Sequence, residues 1–201
     1  MVSSLEQTDD ETRLASWIRA RYPYARLEPL TALKLQKLCF YAAGAAWALG
    51  CGDDLGLLSF RAWKHGPVLV SVWEAHRASG ATPLTSISGR HARYSTLTEQ
   101  SLTDALDVYG VLSAWRLREQ SHLETPWQET TQGAVIPHAR IRHHFAEKFA
   151  TGNVRFPEYL LDVGQFALDG IAVRCTFDTL SALAAEVRRS HAEWRTDSAA
   201  A

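Results

Sequence analysis

Cysteine, net charge and long apolar runs are all scarce in this chain, and each scarcity excludes a class of protein. Its three cysteines are widely separated and odd in number, which argues against a disulfide framework and favours a reducing compartment. A net charge of −1 over 201 residues provides no overall attraction to nucleic acid or to a membrane surface. The uncharged run at 38–52 is shorter than the roughly 20 residues of a membrane-spanning helix, and the acidic N-terminus lacks the apolar region of a signal peptide. We therefore expect a cytoplasmic protein without membrane contact, and nucleic acid is disfavoured as a partner.

Residue patterns typical of catalysis or cofactor binding are also lacking. The chain has no GxSxG elbow, no Walker loop, no HExxH pair and no CxxC pair. The GxG at 50–52 follows a helical pattern rather than a strand, so it does not indicate a dinucleotide site. On one helix, His143 and His144 would lie about 140° and 240° around the axis from His138, so the three cannot converge on one metal ion. We predict no catalytic residue, no metal and no cofactor.

The most apolar stretch of the chain, residues 31–49, predicts a central helix. Thr31 is a suitable N-cap, because its hydroxyl can accept a hydrogen bond from an amide of the first turn. From Leu38 onward the helix is apolar around its whole circumference, which is typical of a helix that is buried on all sides. Gly44 costs about 1 kcal/mol relative to alanine inside a helix, so its presence indicates the close approach of another element.

The remaining patterns predict a mainly α fold, a compact multi-helix domain around the buried central helix with a few short strands or extended segments. Alternation at 58–63 favours an extended segment, whereas Pro67 fits the first position of a helix. Further helices are predicted to begin at Asp9–Asp10, at Thr96 or Thr98, after Ser113 and at Pro137. The predicted organisation is a disordered N-terminus at 1–10, a helical domain at 11–150, a C-terminal extension at 151–196 with a short strand and a final helix, and a disordered tail at 197–201.

Three blocks of the chain together resemble one known family. The first is LTALKLQKLCFYA at 30–42. The second comprises Phe60, Ala62, Trp63, Lys64, His65, Gly66, Pro67 and Val68. The third comprises Tyr109, Gly110, Ser113, Ala114, Leu117, His122, Glu124, Pro126 and Trp127. In order and spacing, over residues 15–150, they are similar to the Panacea domain, also called the SocA-like antitoxin domain.

The resemblance implies a binding function rather than catalysis. Members of the family neutralise varied protein toxins that are encoded next to them in bacteria, phages and mobile elements. One member is an adaptor that delivers its toxin to the ClpXP protease. The resemblance therefore implies an antitoxin that binds a cognate protein toxin, with delivery to ClpXP as an alternative. It brings no catalytic residues, and His65 stands where the family often has a tyrosine.

A partner-binding surface is predicted where the first block meets the second. Lys34, Gln36 and Lys37 are the polar residues of the central helix and occupy its first two turns. A helix that began at Pro67 would present free amides and positive potential to an acidic side chain. The predicted partner contacts are Lys34, Gln36, Lys37, Trp63, His65, Gly66, Pro67 and Trp127. The structural alternative is that Gly66 and Pro67 only begin a helix while both tryptophans fill the core.

Two other functional classes stay open from the residues alone. His122 and Glu124 have the chemistry of an acid–base pair, so a small hydrolase is one alternative. The basic residues within 13–37 or 140–144 are the second alternative, a surface for a nucleic-acid-binding regulator. That role requires retention of DNA that weakens as the salt concentration rises.

Overall fold

Seven α-helices and one β-hairpin form the regular structure of the residues described here. The structure is a computed structural model that describes residues 4–23, 27–87 and 93–150. The elements are α1 (Ser4–Arg21), α2 (Ala32–Ala48), β1 (Phe60–Trp63), β2 (Gly66–Leu69), α3 (Val70–His76), α4 (Thr96–Tyr109), α5 (Ala114–His122), α6 (Thr125–Gln128) and α7 (His138–Ala150). The predicted mainly α class is confirmed. The strand and helix predicted within 151–196 and the tail at 197–201 lie outside the described residues.

The helix α2 is the central element, as the sequence predicts. Its N-cap is Thr31, whose side chain accepts a hydrogen bond from the Lys34 amide at 3.3 Å. Every residue from Lys34 to Ala48 is buried, including the polar ones. The helix packs against α1, α3, α4, α5 and β2. Removing this much apolar surface from water makes α2 the largest single contributor to the core.

Aromatic rings join α2 to its neighbours. The Phe40 ring makes edge-to-face contacts with Phe60 of β1 at 5.4 Å and with Phe145 of α7 at 5.6 Å. The Tyr41 ring stacks on Tyr109 of α4 with 4.2 Å between centroids. Such pairs are each worth about 0.5–1.5 kcal/mol beyond the area they bury. The orientation of α4, α7 and the hairpin around α2 is therefore fixed by specific ring contacts.

Pro67 lies in β2 and does not begin a helix, so this prediction is wrong. It pairs with Ala62 in an antiparallel ladder that also pairs Phe60 with Leu69. Ala62 directs its own backbone groups to the far side of β1, where its amide bonds Ala134 at 2.9 Å and its carbonyl accepts from Gly133 at 2.7 Å. Pro67 therefore occupies a non-hydrogen-bonded position of the hairpin, where a missing amide costs no ladder bond. The predicted extended segment is confirmed as β1.

The helix α1 begins at Ser4, so residues 4–10 are helical where disorder was predicted, and the predicted helix start at Asp9–Asp10 is wrong. Asp10 and Glu11 accept hydrogen bonds from distant parts of the chain instead of capping α1. Asp10 accepts the Leu57 amide at 2.8 Å. Glu11, which is buried, accepts the Ser59 amide at 3.3 Å and both the amide and the hydroxyl of Ser71.

Glu11 supplies the cap that α3 lacks. The residue before α3 is Leu69, which has no polar side chain to accept the first free amides of the helix. The carboxylate of Glu11 accepts the Ser71 amide at 3.2 Å and so takes over that role from another helix. At α4, the cap is Ser95 rather than the predicted Thr96 or Thr98. The predicted cap at Ser113 is confirmed.

The predicted close approach at Gly44 is confirmed. A β-carbon at this position would overlap the ring of Phe145, which belongs to α7. The missing side chain thus lets an aromatic ring lie directly on the backbone of α2. Through this contact α7 packs directly against α2.

Gly44→Ala is expected to destabilise the fold. Overpacking a dense core costs about 1–3 kcal/mol, and this exceeds the gain of up to about 1 kcal/mol that alanine brings in helix propensity. Urea unfolding followed by circular dichroism measures the difference. In a Phe145→Leu background the same substitution should cost less, because the ring is gone. A Gly44→Ala protein more stable than the wild type would contradict the contact.

Candidate functional site

The three polar residues of α2 that the sequence predicts as partner contacts are buried. Lys34 and Lys37 are 0% exposed and Gln36 is 4% exposed. The Lys34 ammonium lies 5.4 Å from the ring centroid of Tyr22, and burial lowers its pKa while Glu28 raises it. Side chains without solvent exposure do not reach a partner in this conformation. Hydrogen bonds within the fold explain why Gln36 and Lys37 are polar.

Gln36 and Lys37 hold the outer edge of β2. The Gln36 side chain donates to the Leu69 carbonyl at 3.0 Å and accepts the Leu69 amide at 2.9 Å. The Lys37 ammonium donates to the Pro67 carbonyl at 2.8 Å. A carboxamide matches a residue that has both an amide and a carbonyl to satisfy, and an ammonium matches a proline, which has only the carbonyl. The first and second blocks of the sequence are therefore chemically complementary.

The β1–β2 turn lies against both α2 and α5. Gly66 follows the turn with a φ of +91°, which L side chains rarely adopt. A β-carbon there would lie 2.7 Å from the Lys37 Nζ and 2.5 Å from the Ser121 Oγ. The turn residue His65 is exposed, and its Nδ1 accepts from the Arg118 Nε at 3.4 Å. Contacts with Lys37 of α2 and with Arg118 and Ser121 of α5 therefore fix the position of the turn.

The two tryptophans of the prediction lie side by side but are only partly exposed. The Trp127 Nε1 donates to the Trp63 carbonyl at 2.9 Å, which joins α6 to the end of β1. The Trp127 ring also stacks on His122 with 4.1 Å between centroids. Gly66 and Pro67 are buried. Of the predicted contacts, His65 is the residue that the structure leaves exposed at the surface, with Trp63 and Trp127 half-buried beside it.

The outward face of α5 contains residues that the sequence reasoning missed. Trp115 is 56% exposed. The guanidinium of Arg118 lies 4.6 Å from the Trp115 ring centroid, within cation–π range. Trp115, Arg118 and His122 are spaced by three and four residues, which places them on one side of a helix. That spacing was the available signal, whereas Leu117 and Ser121 of the same helix are buried.

We call His65, Trp115, Arg118 and His122 the hairpin–α5 face. Burial lowers the pKa of His122, and Arg118, Lys37 and His65 lower it further, while a hydrogen bond to the Lys64 backbone raises it. Burial lowers the pKa of Lys37 to about 7, and Arg118 adds to this effect. The neighbours that shift the pKa of His122 include Arg118 and Lys37 and no carboxylate. The face combines an exposed indole with positive potential.

The structure does not pair His122 with Glu124, the two residues considered for a hydrolase. His122 stacks on Trp127, whereas the buried Glu124 directs its Oε1 towards Gln120 at 3.4 Å and His144 at 3.9 Å. Burial raises the pKa of the Cys39 thiol far above its ordinary range, which is unfavourable for a nucleophile. Within the described residues no cluster of metal-ligating side chains is found.

The basic surfaces considered for nucleic acid are largely neutralised or buried. Lys34 and Lys37 are internal, so the segment 13–37 loses two of its cations. Three arginines of these surfaces pair with carboxylates at 3.3–3.7 Å, namely Arg13 with Asp10, Arg21 with Glu99 and Arg140 with Glu129. Arg19 contacts His76 and the Thr85 carbonyl. In the described part of the chain, no helix is long and apolar enough to cross a membrane.

Residues 35–128 match the family model described as antitoxin SocA-like, Panacea domain. The predicted family resemblance is confirmed over this segment. The match covers just under half of the chain and runs from α2 to α6, so it contains the β1–β2 hairpin and the hairpin–α5 face. No curated protein and no solved structure matches the chain. The Panacea-like segment supports an antitoxin-like role, which implies in general a toxin partner and a non-enzymatic function.

Gln36→Leu is expected to weaken the fold by about 1–3 kcal/mol, because it leaves the buried amide and carbonyl of Leu69 without their partner. The two side chains have similar volumes, so the change tests the hydrogen bonds rather than the packing. Chemical unfolding measures the loss. Gln128→Leu, at an exposed position of α6, is the control and should stay within about 0.5 kcal/mol of the wild type. Equal stabilities of the two variants would contradict the proposed role of Gln36.

Stability should rise with pH through Lys37. Its pKa is about 7 in the folded protein against an ordinary value of 10.5, so between these values the unfolded chain binds more protons and the folded state gains stability as pH increases. Lys37→Met lacks this titration. The free energy of unfolding of the wild type, relative to Lys37→Met, should therefore increase from about pH 7 to about pH 9, below the range where tyrosines ionise. A difference that does not vary with pH would show that Lys37 keeps an ordinary pKa.

Proposed function

We propose that this protein is the antitoxin of a toxin–antitoxin pair and neutralises a cognate protein toxin by forming a complex with it. The observation that carries the proposal is the match of residues 35–128 to the SocA-like Panacea domain. Members of this family neutralise toxins encoded next to them, so the partner is expected to be the product of the adjacent gene. The protein acts in the cytoplasm, where such a toxin is made.

The surface chemistry of the Panacea-like segment supports a binding role. Protein interfaces are enriched in tryptophan and arginine, which often anchor the partner. Trp115 and Arg118 are in contact on the outward side of α5. The groups with chemistry suited to a hydrolase are engaged elsewhere, since His122 stacks on Trp127 and Glu124 faces Gln120 and His144.

Co-expression with the adjacent gene tests the proposal. The neighbour alone should arrest growth, and the neighbour together with this protein should permit growth. The two purified proteins should also form a complex that elutes as one species on size exclusion. A harmless neighbour, or one that stays toxic in the presence of this protein, would overturn the proposal.

Delivery of the toxin to ClpXP is the competing outcome, and the same cells distinguish it. Neutralisation by complex formation requires no protease, so growth should be restored equally in cells with and without ClpXP. The half-life of the neighbour should not shorten when this protein is present. Rescue that is lost without ClpXP, together with faster degradation of the neighbour in its presence, would replace direct neutralisation by the adaptor mechanism.

A further inference from the structure

Arg118 differs from four other arginines of the described residues in what it contacts. Those four form ion pairs with carboxylates: Arg13 with Asp10, Arg21 with Glu99, Arg116 with Glu119 and Arg140 with Glu129. Arg118 lies between an imidazole and an indole instead, with its Nε 3.4 Å from His65 and its guanidinium 4.6 Å from the Trp115 ring centroid. Neither group neutralises its charge.

The groups behind Arg118 increase the positive potential rather than reduce it. The Lys37 ammonium is buried beneath the turn, where it bonds the Pro67 carbonyl at 2.8 Å. His122 is next to Arg118 on the same side of α5, and burial, Arg118, Lys37 and His65 all lower its pKa. Arg118 keeps its charge throughout the physiological pH range, and none of these neighbours is a counter-ion to it. The charge that lacks a carboxylate here is therefore that of the Arg118 guanidinium.

An apolar contact is available next to this positive potential. Trp115 is 56% exposed and its indole Nε1 is already occupied by a hydrogen bond to Glu119 Oε1 at 3.0 Å. The polar atom of the ring is therefore satisfied on the protein's own surface, and what remains open is the apolar ring itself. Covering a large aromatic surface is worth about 25 cal/mol per Å² of apolar area. Leu123, which is 77% exposed, ends the same helix.

We propose that the hairpin–α5 face is the toxin-docking surface, where Arg118 receives a carboxylate of the toxin and the Trp115 ring packs on an apolar side chain next to that carboxylate. This inference rests on the proposed function, because it names where the toxin binds. The partner segment is accordingly acidic with a neighbouring apolar residue. Arginine suits this role, since its planar guanidinium can bind a carboxylate through two parallel hydrogen bonds.

Substitutions at Arg118 test the surface with a control on the same helix. Arg118→Glu should weaken the complex with the adjacent gene's product at least tenfold, measured by calorimetric titration of the purified proteins, and should abolish growth rescue. Trp115→Ala should weaken it at least tenfold as well. Arg116→Glu makes the same charge change two residues away, about 200° around the helix axis, and should bind like the wild type. Thermal unfolding controls for folding. Arg118→Glu should unfold no lower than the wild type, because its carboxylate lies beside Lys37 and His122, and Trp115→Ala and Arg116→Glu should unfold close to it, because both side chains are exposed.

A charge exchange identifies the toxin group. Changing the matching aspartate or glutamate of the neighbour to arginine should abolish binding to the wild type and restore binding to Arg118→Glu. The failure of the surface is distinct from the failure of the function. If the wild type binds and neutralises but Arg118→Glu and Trp115→Ala do so equally well, the surface is elsewhere and the antitoxin function stands. If the wild type itself does not bind, the proposed function fails first.

Two other occupants of the face are outcomes of the same experiment. A second copy of this chain would give a dimer on size exclusion with light scattering, which Trp115→Ala would convert to a monomer. A short DNA duplex would bind with strong salt dependence that Arg118→Glu would remove. Either result would overturn the proposal. Weakening of the complex by Arg116→Glu to the same degree as by Arg118→Glu would also overturn it, since the effect would then be one of total charge.

Discussion

Two side chains of α2 satisfy the outer edge of β2, and the geometry of the candidate site depends on them. An edge strand leaves a row of backbone groups that need partners, and a buried edge that lacks them is costly. Gln36 bonds both the amide and the carbonyl of Leu69, and Lys37 bonds the Pro67 carbonyl. Because proline has no amide, the three bonds complete this part of the edge. The position of the β1–β2 turn follows from them.

The buried ammonium of Lys37 positions the hairpin at a cost in stability. Burying an ammonium is unfavourable in itself, and the lowering of the Lys37 pKa to about 7 is the expression of that cost. An apolar residue at this position would avoid the cost but would leave the Pro67 carbonyl without a donor. Lys37 also brings positive charge beneath the turn, close to Arg118 and His122. One buried side chain thereby fixes the hairpin and contributes to the potential at the surface above it.

The sequence was informative where a local pattern is sufficient. The structure confirms four predictions of this kind: the buried circumference of α2, the Thr31 cap, the extended segment β1 and the close approach at Gly44. Each depends on local geometry or on a single close contact. Polar residues in the first turns of a helix usually face water. Gln36 and Lys37 are buried because their partners lie in β2, 33 and 30 residues further along the chain, and no local pattern shows this.

The other predictions that the structure contradicts have a common cause. Proline is favoured both at a helix start and at a strand edge, and only the pairing of Pro67 with Ala62 decides between them. Acidic residues are favoured at helix starts, but Asp10 and Glu11 accept amides from other elements. In each case a local preference is satisfied by two arrangements, and tertiary contacts select one of them.

The tertiary cap that Glu11 provides for α3 has a consequence for where the folding unit begins and ends. Glu11 precedes the Panacea-like segment, and Phe145 and the strand-like residues 133–136 follow it. A fragment cut at 35 and 128 would expose free amides at α3, the bare outer edge of β1 and an unfilled groove at Gly44. The stretch that is shared with other proteins is therefore smaller than the stretch that folds.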